Sequence, residues 1–218
     1  MIISNISQAK NKPKFVVLLT DTNNKYTIYK DVIKKCGLRK GDSITDGKLS
    51  EILFLDEFHR GKDTALRYFS YRQRSEYELR KKLDSKKFKP KVVDSVIANL
   101  KGIGLINDRE FAESFTRNTL KGKAIGRNLL KQRLLDKKIP KDIVLQIIEK
   151  SYCNINEKES ALETAKKQLK KYRITKSKSD DKQNYIRLSS FLSRRGFSWE
   201  IISNVMKQVF KKDELPEE

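Results

Sequence analysis

The stretch "LSSFLSRRGFSWEIISNVMKQVF", residues 188–210, decides the fold, because its apolar skeleton recurs twice upstream. Leu188, Leu192, Phe197, Ile201, Ile202, Val205 and Met206 align without a gap with Leu130, Leu134, Ile139, Ile143, Val144, Ile147 and Ile148. They align equally well with Leu79, Leu83, Phe88, Val92, Val93, Val96 and Ile97. Apolar residues at i and i+4, a break, then i, i+1, i+4 and i+5 predict a helix, a short turn and a second helix that packs back on the first. Three copies in one register predict an internal repeat.

Each matched pair is preceded by one more helical pattern. Asn107 followed by Glu110, and Asn156 followed by Glu159, place an N-cap residue and an N3 glutamate at the same distance before Ala112 and Ala161. Gly102 and Gly104 suit the end of the preceding helix, where a left-handed residue is needed. Three-helix repeats are therefore expected over 61–104, 106–152 and 156–211, in an elongated, curved array. The polar segment "YRITKSKSDDKQN" (172–184) interrupts the third as an expected loop, and residues 212–218 form an acidic tail.

Residues 1–58 differ in texture. "KFVVLLTD" (14–21) and "KYTIYKDV" (25–32) are β-branched and aromatic runs around "TNN", the pattern of a β-hairpin. A short helix ending near Gly37 and another from about Asp46 complete a small α+β module ahead of a mainly α chain.

The 218 residues carry a formal net charge of +21, with 35% charged and 37% hydrophobic residues. So large a surplus on a helical chain favours an anionic partner: nucleic acid or an acidic protein surface ahead of lipid. The sequence has no long apolar run, signal peptide or lipidation motif, so no membrane association and a cytoplasmic protein are expected, and nothing in it demands more than a monomer. Cys36 and Cys153 are isolated, and the single histidine, His59, has no second ligand nearby, so no metal, cofactor or disulfide framework is expected. Phosphate-loop, dinucleotide, zincin and nucleophile-elbow motifs are absent, and the acidic residues are scattered among lysines, which argues against an enzyme.

The basic residues are the candidates for binding. Lys86, Lys137 and Arg195 occupy equivalent positions near the end of a helix, where a cation either compensates the helix dipole or meets a partner. Around them lie Arg80, Lys81, Lys82 and Lys87 in the first repeat, Lys131, Arg133 and Lys138 in the second, and Arg187 and Arg194 in the third. At about 100° per residue from Leu79, Arg80 and Lys81 point outward, free to meet a partner. "YFSYRQRSEYELRKK" (68–82) mixes Tyr71, Arg72 and Arg74, which suits stacking or an interface anchor, or half-buried core edges. "TLKGKAIGRNLLKQR" (119–133) sets Lys121, Lys123 and Arg127 around Gly122 and Gly126, a helix start for an anionic group or a small-residue helix contact.

"SEYELRKKL" (75–83), "LKGIGLINDREFAESF" (100–115), "KGKAIGRNLLKQRLLDKKI" (121–139) and "FLSRRGF" (191–197), in this order, resemble the bacterial RecX family over about residues 62–210. The resemblance implies tandem three-helix repeats and a non-enzymatic negative regulator of the RecA recombinase. Such a regulator binds along the groove of the RecA filament on single-stranded DNA and suppresses ATP hydrolysis, strand exchange and co-protease activity in DNA repair and the SOS response. A basic helical-repeat protein that binds single- or double-stranded DNA directly is the alternative.

Overall fold

The computed structural model describes residues 1–122, 124–153, 155–175 and 181–210. It divides into two compact units, Met1–Ile106 and Asn107–Glu218.

The first unit opens with an antiparallel sheet in the order β1 (Ile3–Gln8), β2 (Phe15–Thr20), β3 (Lys25–Tyr29). The expected hairpin is β2–β3, with Phe15 opposite Tyr29 and Leu19 opposite Lys25, and Asn23 takes φ 61° in its turn. The strand β1 was not foreseen. Its polar alternation, "ISNISQ", carries little β signal, yet Ile3 is fully buried while Asn5, Ser7 and Gln8 face water. After α1 (Lys30–Lys35), Gly37 adopts φ 63°, as a helix stop should.

The boundary expected near 58–61 falls inside one 25-residue helix, α2 (Asp46–Ser70). Gly61, at that expected boundary, is buried where α2 meets α4 (Pro90–Gly102). A Cβ there would lie 3.1 Å from a Val96 methyl. Its role is close approach rather than termination. The N-terminal half of α2 is fastened to β3 through Asp56, which accepts from the Tyr29 amide at 2.7 Å and from Arg60 Nε at 2.7 Å. Its C-terminal half, with α3 (Glu76–Ser85) and α4, forms the first repeat. His59 is half-buried beside Tyr29 and Phe58.

The second unit holds α5 (Asp108–Gly122), α6 (Arg127–Asp136) and α7 (Lys141–Tyr152), then α8 (Glu157–Thr175), α9 (Asp181–Arg194) and α10 (Trp199–Val209). Helical structure thus extends into both ends of the loop expected at 172–184: Tyr172 and Tyr185 pack against the third repeat's core and Asn184 is buried. Residues 176–180 of that loop, and the acidic tail at 212–218, lie outside the described residues. Asn107 caps α5 by accepting from the Glu110 amide at 3.3 Å, and Asn156 does the same for the Glu159 amide at 3.1 Å.

The repeated skeleton is the core. All its positions are buried except Phe88, Ile143 and Ile201, which are half-buried. Burying each such side chain contributes about 2 kcal/mol. The turn between the second and third helices is the same in every copy. Lys86, Lys137 and Arg195 amides donate to Leu83, Leu134 and Leu192 carbonyls at 3.0, 3.1 and 3.0 Å. The next residue donates three positions back at 2.8 Å each time, and takes positive φ: Lys87 61°, Lys138 57° and Gly196 81°. Among the described residues, no helix is long and apolar enough to cross a membrane.

Candidate functional site

In the first unit the aromatic and arginine residues around residue 72 largely satisfy one another. Ser75 and Glu78 form a capping box at the start of α3, as the Ser-x-x-Glu spacing of "SEYE" encodes. Arg72 grips the Glu78 carboxylate with both terminal nitrogens, at 2.8 and 3.1 Å, and this charge-assisted pair raises the already high pKa of the guanidinium. Arg74 stacks 3.9 Å above the Tyr68 ring, and the Lys82 ammonium lies 5.3 Å from that ring. Tyr71, 84% exposed, remains open to a partner.

Arg80, expected to be free, instead ties two helices together. Its Nε donates to Glu76 Oε1 at 2.8 Å and its Nη1 to Asp94 Oδ1 of α4 at 2.6 Å. Lys101 adds a second cation on Glu76 at 2.9 Å. Burial pushes the Glu76 carboxyl up, but the hydrogen bonds from Lys101 and Arg80 outweigh it and hold the group below the ordinary glutamate value. Lys81 and Lys87 stay exposed.

In the second unit the start of α6 is already occupied. Gly126 has no side chain to cap with, so the orphan amides of the first turn take other acceptors. Gly126 N–H donates to the Arg195 carbonyl at 2.8 Å, Arg127 N–H to Glu157 at 2.9 Å, and Asn128 N–H to the Gly196 carbonyl at 3.2 Å. Of the two readings of this helix start, Gly126 is the small-residue contact, and the place for an anionic group is filled by a carboxylate of the chain itself and by the turn of the third repeat. Arg127 also holds Glu157 through Nε at 2.9 Å, close to the face of Tyr152. The buried Tyr152 hydroxyl donates to the Ile125 carbonyl at 2.8 Å; burial, with Glu157 adding to it, pushes the phenol far up. Lys123 lies outside the described residues.

Three of the predicted residues do come together. Arg133 from α6, and Arg194 and Arg195 from the end of α9, line one cleft of about 520 Å³ with Thr119, Leu129 and Phe191. Arg195 is fixed in it, donating to the Ala124 carbonyl at 3.0 Å and lying 4.9 Å over the Phe191 ring. Arg133 and Arg194 are exposed. The cleft exists because the second and third repeats meet at Gly126 and Gly196; the sequence offers Gly126 as a small-residue contact but does not name Gly196 as its partner. Thr119 and Phe191 were missed for that reason. Lys131, Lys138 and Arg187 are exposed on the same unit but do not line this cleft. Trp199, 73% exposed at the first position of α10, is a further surface aromatic that the sequence pattern did not single out.

Comparison with known proteins is consistent across sequence and fold. Family profiles described as the first, second and third three-helix domains of RecX match residues 62–100, 107–146 and 158–206. A protein named "Regulatory protein RecX" from Listeria welshimeri is 30% identical over 202 residues, covering 92% of this chain and 73% of its own length. One of the same name from Clostridioides difficile is 29% identical over 213 residues, 98% of each chain. A crystal structure of regulatory protein RecX superposes with a TM-score of 0.70 at 22% identity, over 94% of this chain and 98% of that one. That of RecX from Lactobacillus salivarius gives 0.58 at 26% identity, over 71% of this chain and 97% of the other.

Proposed function

Because the chain belongs to the RecX family of regulatory proteins, we propose that it is a non-enzymatic negative regulator of the RecA recombinase in the cytoplasm. It binds the RecA filament on single-stranded DNA as a monomer and suppresses ATP hydrolysis, strand exchange and co-protease activity. The observation that carries this reading is the match of all three repeats to the family's three domains, in order. A net charge of +21 supports it, since attraction to a nucleoprotein filament speeds encounter and makes binding sensitive to salt.

Exposed cations outside the intramolecular pairs are the proposed contact residues: Lys81 on α3, Lys131 and Arg133 on α6, and Arg187 and Arg194 on α9. Several weak contacts along a polymer combine into strong avidity. The test is DNA-stimulated ATP hydrolysis by the cognate RecA at physiological salt, with affinity for bare single-stranded DNA measured in parallel. Inhibition at concentrations well below those that coat the DNA supports filament binding. Inhibition that only follows DNA coating assigns the protein to direct DNA binding instead.

A further inference from the structure

We propose that the cleft lined by Arg133, Arg194 and Arg195 is a binding site for the phosphodiester backbone of nucleic acid. Three guanidinium-bearing side chains, from two different repeats, line one concavity, and among the described residues no carboxylate lines it with them. Like charges brought together in this way repel, so the arrangement costs stability unless an anion joins it.

The chemistry favours phosphate over a carboxylate-bearing protein segment. Guanidinium forks match phosphate oxygens two at a time. Arg195 is held in place by Ala124 and Phe191, so it loses little freedom when an anion arrives. Leu129 and Phe191 supply an apolar wall beside the cations, suited to the sugar and base next to a phosphate, and a volume of about 520 Å³ exceeds what a lone inorganic anion needs. The inference rests on the reading of a protein that works at nucleoprotein filaments, and it adds that the chain grips nucleic acid itself there, through the second and third repeats.

The test is fluorescence anisotropy of the full chain on a labelled single-stranded oligonucleotide across a salt series. Arg133→Gln with Arg194→Gln leaves Arg195, which supports the fold, untouched. It is expected to weaken binding and to make the slope of log affinity against log salt shallower by about 1.4, since each phosphate contact on a single strand contributes about 0.7. Arg133→Lys with Arg194→Lys is expected to keep most of the slope. Lys166→Gln with Lys170→Gln, an equal charge change on the exposed face of α8, is expected to leave it near the wild-type value.

An unaltered slope and affinity in the glutamine variant, with wild-type melting, would overturn the site. So would displacement of the oligonucleotide by polyglutamate as readily as by unlabelled DNA, which would assign the cleft to acidic protein segments. RecA ATP hydrolysis run alongside separates the two ideas. A slope effect in the glutamine variant, with a wild-type chain that does not inhibit RecA, removes the filament reading and leaves the cleft. Inhibition without any slope effect does the reverse.

Discussion

The backbones of Gly126 and Gly196 are in direct contact: a Cβ added to Gly126 would stand 2.2 Å from the Gly196 carbonyl oxygen, and one on Gly196 would stand 2.2 Å from the Leu129 nitrogen. No flexible side chain is available to give way, because the obstructing atoms are mostly backbone. Gly126→Ala and Gly196→Ala are therefore expected to destabilise the second unit by about 1 to 3 kcal/mol each through overpacking. Gly196→Ala carries an additional cost of about 1 kcal/mol because φ there is 81°. Urea unfolding measures both. A loss below about 0.5 kcal/mol, the size of an ordinary surface change, would contradict the contact.

The equivalent turn positions in the other repeats make the opposite prediction. Lys87 and Lys138 adopt φ 61° and 57° in turns with the same hydrogen bonds, and both are exposed. Glycine relieves the left-handed strain without creating a void. Lys87→Gly and Lys138→Gly are each expected to stabilise the fold by about 1 kcal/mol, read as a rise in the urea midpoint at constant slope.

The buried leucines of the second helix are equivalent in all three repeats. Leu83, Leu134 and Leu192 are fully buried, so truncation to alanine at any of them is expected to cost about 2 to 5 kcal/mol. A melting curve unchanged by Leu134→Ala would break the alignment of the repeats.

The repeat was legible because helix packing is written in short-range periodicity: seven apolar positions per copy locate two helices and their turn, and Asn107 and Asn156 mark where another begins. What the sequence hid is what depends on distant partners. The boundary expected between 58 and 61 dissolves into α2 once Gly61 is seen pressed against α4, and Arg80 looks free until Asp94, fourteen residues away, is brought alongside. The same holds for the candidate site. The excess of cations was plain, but which of them are tied up by Glu76, Glu78, Glu157 or the Ala124 carbonyl is decided by tertiary contacts, and only after those are removed does the Arg133–Arg194 cleft stand out.

Stability should fall in acid through specific carboxyls. Glu76 under Arg80 and Lys101 lies below its ordinary value of 4.5, and Asp63, hydrogen-bonded by Tyr29 and Lys14 against an opposing push from burial, lies below 3.8. A carboxyl held down in the folded chain stabilises it fully above the ordinary value, and that contribution is lost as pH falls through the depressed folded value. Glu76→Gln is expected to cost about 1 kcal/mol near neutral pH. The gap between variant and wild type should begin to close as pH falls below the ordinary glutamate value of 4.5 and go on closing through the depressed folded value. A gap that stays constant would mean that the ionisation of Glu76 contributes nothing to stability.

Charge reversal separates contact residues from structural ones. Arg80→Glu would place a carboxylate beside Glu76 and Asp94, and Arg195→Glu would lose the hydrogen bond to Ala124 and set a carboxylate beside its backbone carbonyl oxygen. Both variants are expected to lower the melting temperature, so a loss of RecA inhibition in either is not by itself the loss of a partner contact. Lys81→Glu, Lys131→Glu, Arg133→Glu and Arg194→Glu act on exposed side chains. These are expected to leave melting near wild type, since surface changes usually stay within about 0.5 kcal/mol. Combined, they should weaken inhibition of RecA ATP hydrolysis and make it less sensitive to salt, as the loss of steering charge requires. If the fourfold variant melts and inhibits as the wild type does, the exposed cations of α3, α6 and α9 are not the contact surface, and Tyr71 and Trp199 become the residues to replace.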